Sequence, residues 1–247
     1  MRSMCPTPTD REGMEILQYP MVAFAPGLFW LWFLRRKDDL DPEPLWLVLL
    51  VFVAGCAVAL GVRSLRPELQ VWLDEVPTRW RPWTDAFVVT ALVEELAKLL
   101  PLLLVLRTRW FDEPLDGVIY GTAIGLGFAS LENLWYLQMT GENSIAVQRG
   151  FTAVLAHVAF TGSAGFFLGI ARFSSRGKGL LLLTMGLSFA TLFHGLYDYL
   201  LLFGGRTSSL LSLLALLPLL LVLLAWKIQW ARKRSPIFHP DKVAKER

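Results

Sequence analysis

The sequence predicts an all-α polytopic membrane protein, about seven transmembrane helices with a four-helix catalytic core, and three observations carry this. Hydrophobic residues make up 54% of 247 positions. They fall in runs near 20 residues long, the length needed to cross a hydrocarbon layer about 30 Å thick. Ionisable residues inside those runs are few, and each needs a reason, since one charge at the centre of a membrane helix costs about 2.5 to 3.5 kcal/mol. This composition excludes a soluble globular domain, and nothing in it points to nucleic acid.

The first eighteen residues are polar and contain no apolar core followed by a small-residue cleavage site, so no removable signal peptide is expected. Residues 1–18 are read as an extracytoplasmic segment and 19–226 as the transmembrane domain, with its catalytic core at about 86–203. Residues 227–247 are read as a basic cytoplasmic tail that meets anionic membrane lipids. The spans run Tyr19 to Leu34, Leu45 to Val62, Ala86 to Leu106, Gly117 to Gln138, Phe151 to Ala171, Leu180 to Phe203 and Ser209 to Trp226. The first contains Pro20 and Pro26, which kink a helix, while Trp30 and Trp32 before Arg35, Arg36 and Lys37 form an interface anchor. Between the second and third spans, residues 63–85 place Trp72, Trp80 and Trp83 among charges, the pattern of a segment lying on the outer surface.

Basic residues set the orientation, because cytoplasmic loops are enriched in Lys and Arg. With the N-terminus outside, 15 of the 24 basic residues fall on the inner side and 8 on the outer side, with Lys98 inside the membrane. A multi-pass protein of the cell membrane, N-terminus out and C-terminus in, follows. Of the two cysteines, Cys56 lies in an apolar run and Cys5 in the polar start, a pattern with no metal-ligand spacing, and neither is given a role. His239 lies in the polar tail and is given none.

The third span carries Glu94, Glu95 and Lys98. On a helix either carboxylate reaches the ammonium, at spacings of four and three, so one glutamate can pair while the other stays free. In the predicted topology Glu132, His157, His194 and Asp198 lie on three further spans, at the same depth as the glutamates. That depth is about 8 to 14 Å beneath the outer interface at 1.5 Å per residue. Independent structural ion pairs have no reason to share a depth, whereas one hydrated cavity lined by four helices requires it. Such groups act as general base and acid on a water or as ligands of a metal that activates one. Glu94 with Lys98 alone also fits a structural pair, His157 a packing histidine, and Asp198 an interfacial residue.

At these residues the chain resembles the PrsW intramembrane proteases. The resemblance rests on VEELAKLLP (Val93 to Pro101), DGVIYGTAIGLGFASLENLWY (Asp116 to Tyr136), RGFTAVLAHVAFTGSAGFFLG (Arg149 to Gly169) and HGLYDYL (His194 to Leu200). PrsW proteins are similar in turn to the type II CAAX prenyl endopeptidases, which share a paired-glutamate helix, a Phe-x-x-x-polar helix and a His-x-x-x-Asn/Asp helix. Those patterns correspond here to Glu94 and Glu95, to Phe128 before Glu132, and to His194 before Asp198. The prenyl endopeptidases usually carry histidine where this chain has Glu132, which disfavours farnesyl-peptide substrates.

The resemblance implies proteolysis of a single-span membrane protein, as a first cut near the extracytoplasmic face of an anti-sigma factor that starts a stress response. Glu94, Glu95, Glu132, His157 and His194 are the expected catalytic residues, with Lys98, Phe128, Asn133 and Asp198 in support. Either Glu94 or Glu95 would deprotonate the attacking water, with His157 or His194 as proton donor or oxyanion stabiliser. Glu132, His157 and His194 are candidate Zn²⁺ ligands, offering two nitrogens and one oxygen with a fourth position for water. Two other classes share part of the pattern. A cation- or proton-coupled transporter would show internal repeats and broken helices near the midplane, and a non-catalytic chaperone or receptor on the same fold would tolerate loss of single polar residues.

Overall fold

The computed structural model describes residues 8–36 and 41–234, with side chains from Gln18 onward. Every regular element among the described residues is helical: α1 (Pro8–Arg35), α2 (Leu45–Glu75), α3 (Arg81–Thr84), α4 (Val93–Val105), α5 (Pro114–Thr140), α6 (Asn143–Phe151), α7 (Ala153–Arg172), α8 (Arg176–Leu202), α9 (Gly205–Leu211) and α10 (Leu217–Arg232). Two π-helical segments, Asp85–Leu92 and Ser212–Leu216, run directly into α4 and α10. Arg2, Cys5, Lys37, His239 and the tail from residue 235 lie outside the described residues, as do the side chains of residues 8–17.

Each of the seven apolar stretches falls on helix. By length and composition, four helical stretches can cross a membrane: Leu45–Glu75, Asn143–Arg172, Arg176–Leu202 and Gly205–Arg232. The stretch from Asn143 is interrupted at Thr152, whose φ of −123° and ψ of −80° separate α6 from α7. Large apolar side chains exposed along α2 (Leu49, Val53, Leu60), α8 (Met185, Leu192) and α10 (Leu219, Val222) give these helices the outward surface a lipid solvent demands.

Helices run past two of the spans read from the sequence, and a third span is irregular. Helix α2 continues past Val62 to Glu75 despite Pro67, so most of the segment between the second and third spans is an extension of α2. The boundary read at Trp226 lies inside α10, and Lys227 is buried, its ammonium 3.7 Å from the centroid of Phe189. The third span is not one regular helix, because a π segment precedes Val93. Such insertions cluster at functional sites, and here the widened turns end at Leu92, two residues before Glu94.

Helix α5 is the centre of the bundle. Every residue from Leu115 to Ser130 is buried, although small and polar residues keep this helix from reading as the most apolar. Its start is fixed by a capping box: Asp116 Oδ2 accepts the backbone N–H groups of Asp112 and Glu113, each at 2.7 Å, with Pro114 at the first helical position. Its end is fixed by Gly141 at φ 70°, the left-handed conformation that glycine adopts without a Cβ penalty.

Helix α5 packs between α2 and α7 with backbone nearly on backbone. A Cβ on Gly127 would overlap the carbonyl of Phe52 on α2, and one on Gly165 of α7 would overlap the carbonyl of Gly117. Close approach of this kind is what small residues permit in membrane bundles, where van der Waals contact drives association. Gly165→Val is therefore expected to cost about 3 kcal/mol, the upper end of overpacking penalties. Thermal unfolding of purified protein in detergent checks it, and a variant as stable as the parent contradicts the packing described.

Candidate functional site

Beside α5, a cavity of about 280 Å³ opens among the π segment, α2, α7 and α8, and its lining includes Glu94, Glu132, His157, His194 and Asp198. All the polar residues assigned one depth from sequence meet at this place.

Helix α4 supplies the densest cluster. Lys98 is fully buried, and its Nζ lies 3.1 Å from Glu94 Oε2, 2.8 Å from Glu95 Oε1 and 3.0 Å from His157 Nδ1. An ammonium has three protons and no lone pair, so these three acceptors use it completely. The face of Phe128 lies 4.0 Å from Nζ and adds a cation–π contact. Because Lys98 can only donate, His157 Nδ1 accepts; the proton of the neutral ring then sits on Nε2, 3.2 Å from Glu132 Oε2.

The two neighbouring glutamates face different surroundings, since successive helix residues point about 100° apart. Glu95, with its side chain 1% exposed, is saturated. Its Oε1 takes Lys98 and lies 3.0 Å from His194 Nδ1, while its Oε2 accepts the Thr161 hydroxyl at 3.2 Å. Glu94 meets Lys98 through Oε2 alone, and as a cavity-lining residue it has Oε1 without a hydrogen-bond partner among the described residues.

The histidines are held in the same manner. His194 has Nδ1 on Glu95, while its Nε2 faces Asp198 Oδ2 at 3.3 Å and Glu94 Oε2 at 3.9 Å. Phe160 stacks on its ring at 4.9 Å, and the two imidazole centroids are 5.1 Å apart, so His157 and His194 share one site. Glu132 is anchored from the side by Arg149, 3.1 Å away, and the same guanidinium donates to Asn133 Oδ1 at 3.0 Å. Asn133 is buried and donates onward to the Ala146 carbonyl at 3.1 Å, which ties α5 to α6.

Ligand atoms of Glu94, His157 and His194 lie within 4.8 Å of one another, and this trio is the group of metal-ligating residues that the described side chains assemble. Two imidazole nitrogens and one carboxylate oxygen suit Zn²⁺, with the cavity side open. The trio departs from the sequence reading, which put Glu132 beside the two histidines. Glu132 stands behind His157 as its hydrogen-bond acceptor, in the way Glu95 stands behind His194, and carboxylates so placed orient a ligating ring. The donor set suits a divalent cation in its chemistry, and such an ion would replace the contacts that Lys98 makes with Glu94 Oε2 and His157 Nδ1.

Sequence reading did not single out Thr161, Arg149 or Phe160 for the site. Thr161 is recoverable, standing four residues after His157 on one helix face. Arg149 lies at a helix end, where an arginine reads as interfacial, and the Phe160 stack depends on packing between α7 and α8.

Residues 43–226 match the family described as PrsW family intramembrane metalloprotease. Among curated relatives, Protease PrsW of Geobacillus kaustophilus is 33% identical over 195 residues, covering 78% of this chain and 83% of the relative. Protease PrsW of Bacillus subtilis is 33% identical over 178 residues, 72% of this chain and 79% of the relative. That of Clostridioides difficile is 27% identical over 239 residues, 93% and 94% of the two chains. No solved structure matches. With the family matched over most of its length, the chain belongs to the PrsW intramembrane metalloproteases and is a membrane-embedded protease.

Proposed function

We propose that this protein cuts a single-span membrane protein of the anti-sigma-factor kind near its extracytoplasmic face. Seven spans are proposed, with the catalytic residues on the helices from the third, fourth, fifth and sixth. The observation that carries the mechanism is the unequal surroundings of Glu94 and Glu95.

Glu94 is the general base. Its Oε1 faces the cavity and takes a proton from the attacking water, while Lys98 fixes its Oε2. Glu95 positions rather than reacts, holding His194 and Lys98 at once. His194, held at Nδ1 by Glu95, turns Nε2 toward Glu94 and Asp198, which sets the orientation of its ring in the site. Glu132 holds His157 at Nε2. Glu94, His157 and His194 are the residues that would hold Zn²⁺, Glu94 with one carboxylate oxygen, which leaves the other to take the proton. When bound, the ion would polarise the water and the scissile carbonyl. The Phe128 and Phe160 rings beside the imidazoles reduce the access of bulk water.

The test is purified full-length protein in proteoliposomes with candidate single-span substrates, with and without a zinc chelator, and metal content measured on the same preparations. Cleavage that the chelator abolishes, with about one zinc per chain, is expected. Full cleavage by metal-free protein contradicts the zinc assignment.

The proposed topology places the N-terminus outside and the C-terminus in the cytoplasm, on the 15 to 8 division of basic residues. Reporter fusions at Arg176 and after Arg247 should both report the cytoplasm, and an outer location for either reverses the assignment.

A further inference from the structure

The mouth of the cavity carries three arginines that the chemistry above does not use in the same way. Arg66 is neutralised by Asp85 at 2.9 Å and also donates to Thr90 at 2.9 Å. Arg149 is committed to Glu132 and Asn133. Arg63 differs. Its guanidinium carbon lies 4.4 Å from the centroid of Trp135, and among the described residues it has no carboxylate partner. Of the acids lining the mouth, Asp85 and Glu132 are held by the other two arginines, and Asp198 lies against His194.

Arg63 is exposed, and its position is set by the membrane itself. It is the first charge after the uncharged stretch from Leu45 to Val62, 18 residues or about 27 Å at 1.5 Å each, so it marks the interface at that end of α2. Trp135 stands three residues, about 4.5 Å, beyond Glu132 along α5. A guanidinium seated on Trp135 therefore lies just outside the proposed catalytic groups, on the path a polypeptide follows into the cavity. Packed against the indole it keeps its in-plane N–H donors free and loses little freedom on meeting a planar anion.

We propose that Arg63 is a specificity determinant that receives an acidic side chain of the substrate. With about 3.3 Å per extended residue, that side chain lies about two to four residues from the cut bond. A carboxylate is the matching chemistry: it takes the guanidinium fork bidentately, and among the described residues no acid of this chain pairs with Arg63.

The inference rests on reading the cavity as the peptide-cutting site, and the two fail separately in one experiment. Full-length Glu94→Gln protein in nanodiscs is titrated with three labelled single-span reporters that carry Asp, Ser or Lys at those flanking positions. The Asp reporter is expected to bind about fivefold to tenfold more tightly than the Lys reporter, more than a single exposed ion pair gives because the swap replaces attraction by repulsion. Adding Arg63→Glu should reverse the order, and Arg63→Gln should level it. An order unchanged by both substitutions overturns the proposal. A change in anionic-lipid binding with no change in reporter order also overturns it, and assigns Arg63 to the lipid surface. Reporters that bind in the expected order but are cut equally by the parent and by Glu94→Gln support the docking role of Arg63 and overturn the assignment of Glu94.

Discussion

Glu94→Gln is expected to lower cleavage about 100- to 10,000-fold, the typical contribution of a general base, while leaving insertion and abundance near those of the parent. The amide keeps the size of the carboxylate and the oxygen that Lys98 contacts, but it cannot take a proton from water. Glu94 is also the member of the pair whose Oε1 faces the cavity, so the substitution removes the base without opening the packed side of the cluster. Single-turnover cleavage of a single-span substrate by the purified variant measures it. A rate within tenfold of the parent would show that the proton acceptor lies elsewhere.

Lys98→Met is expected to act on stability instead. The side chain is fully buried and holds two carboxylates and an imidazole at 2.8 to 3.1 Å. Removing one partner of a buried ion pair costs about 3 to 5 kcal/mol, because the remaining charge is left without compensation. That is a large fraction of the 5 to about 15 kcal/mol that holds a typical domain together. Lys98→Met should therefore accumulate poorly, and Lys98→Met with Glu95→Gln should recover part of the loss, since the second change removes the stranded charge. Unfolding in detergent reads both. Parental stability in the single variant would mean that Lys98 is not the cation that holds the site together.

Much of this arrangement is legible in the sequence, for a physical reason. A charge inside an apolar run is costly wherever it occurs, so Glu94, Glu95, Lys98, Glu132, His157 and His194 stand out before any fold is known, and helical rise turns their positions into one depth. Assignments that depend on rotation about a helix axis are not legible. Whether Glu94 or Glu95 faces the cavity is decided by where α7 and α8 bring Thr161 and His194, which claim Glu95. The choice of carboxylate beside the two histidines depends on the same rotation. Glu132 shares the depth of the histidines, but Arg149 and His157 Nε2 engage it, leaving Glu94 as the carboxylate grouped with the two imidazoles. Hydropathy located α5 but not its central place, since its glycines lower the apolar signal while every residue from Leu115 to Ser130 is buried.

In the proposed mechanism Glu94, His157 and His194, carried on three helices, act as one unit. Residues that act together are non-additive: once one is removed, the others have little left to contribute. The most direct measurement is single-turnover cleavage by full-length Glu94→Gln, His194→Asn and the double variant, against the parent. If each single change costs about 100-fold, the double variant is expected to be no slower than the slower single variant by more than about tenfold. A double variant slower by the product of the two losses, about 10,000-fold, would contradict it and place Glu94 and His194 in separate roles.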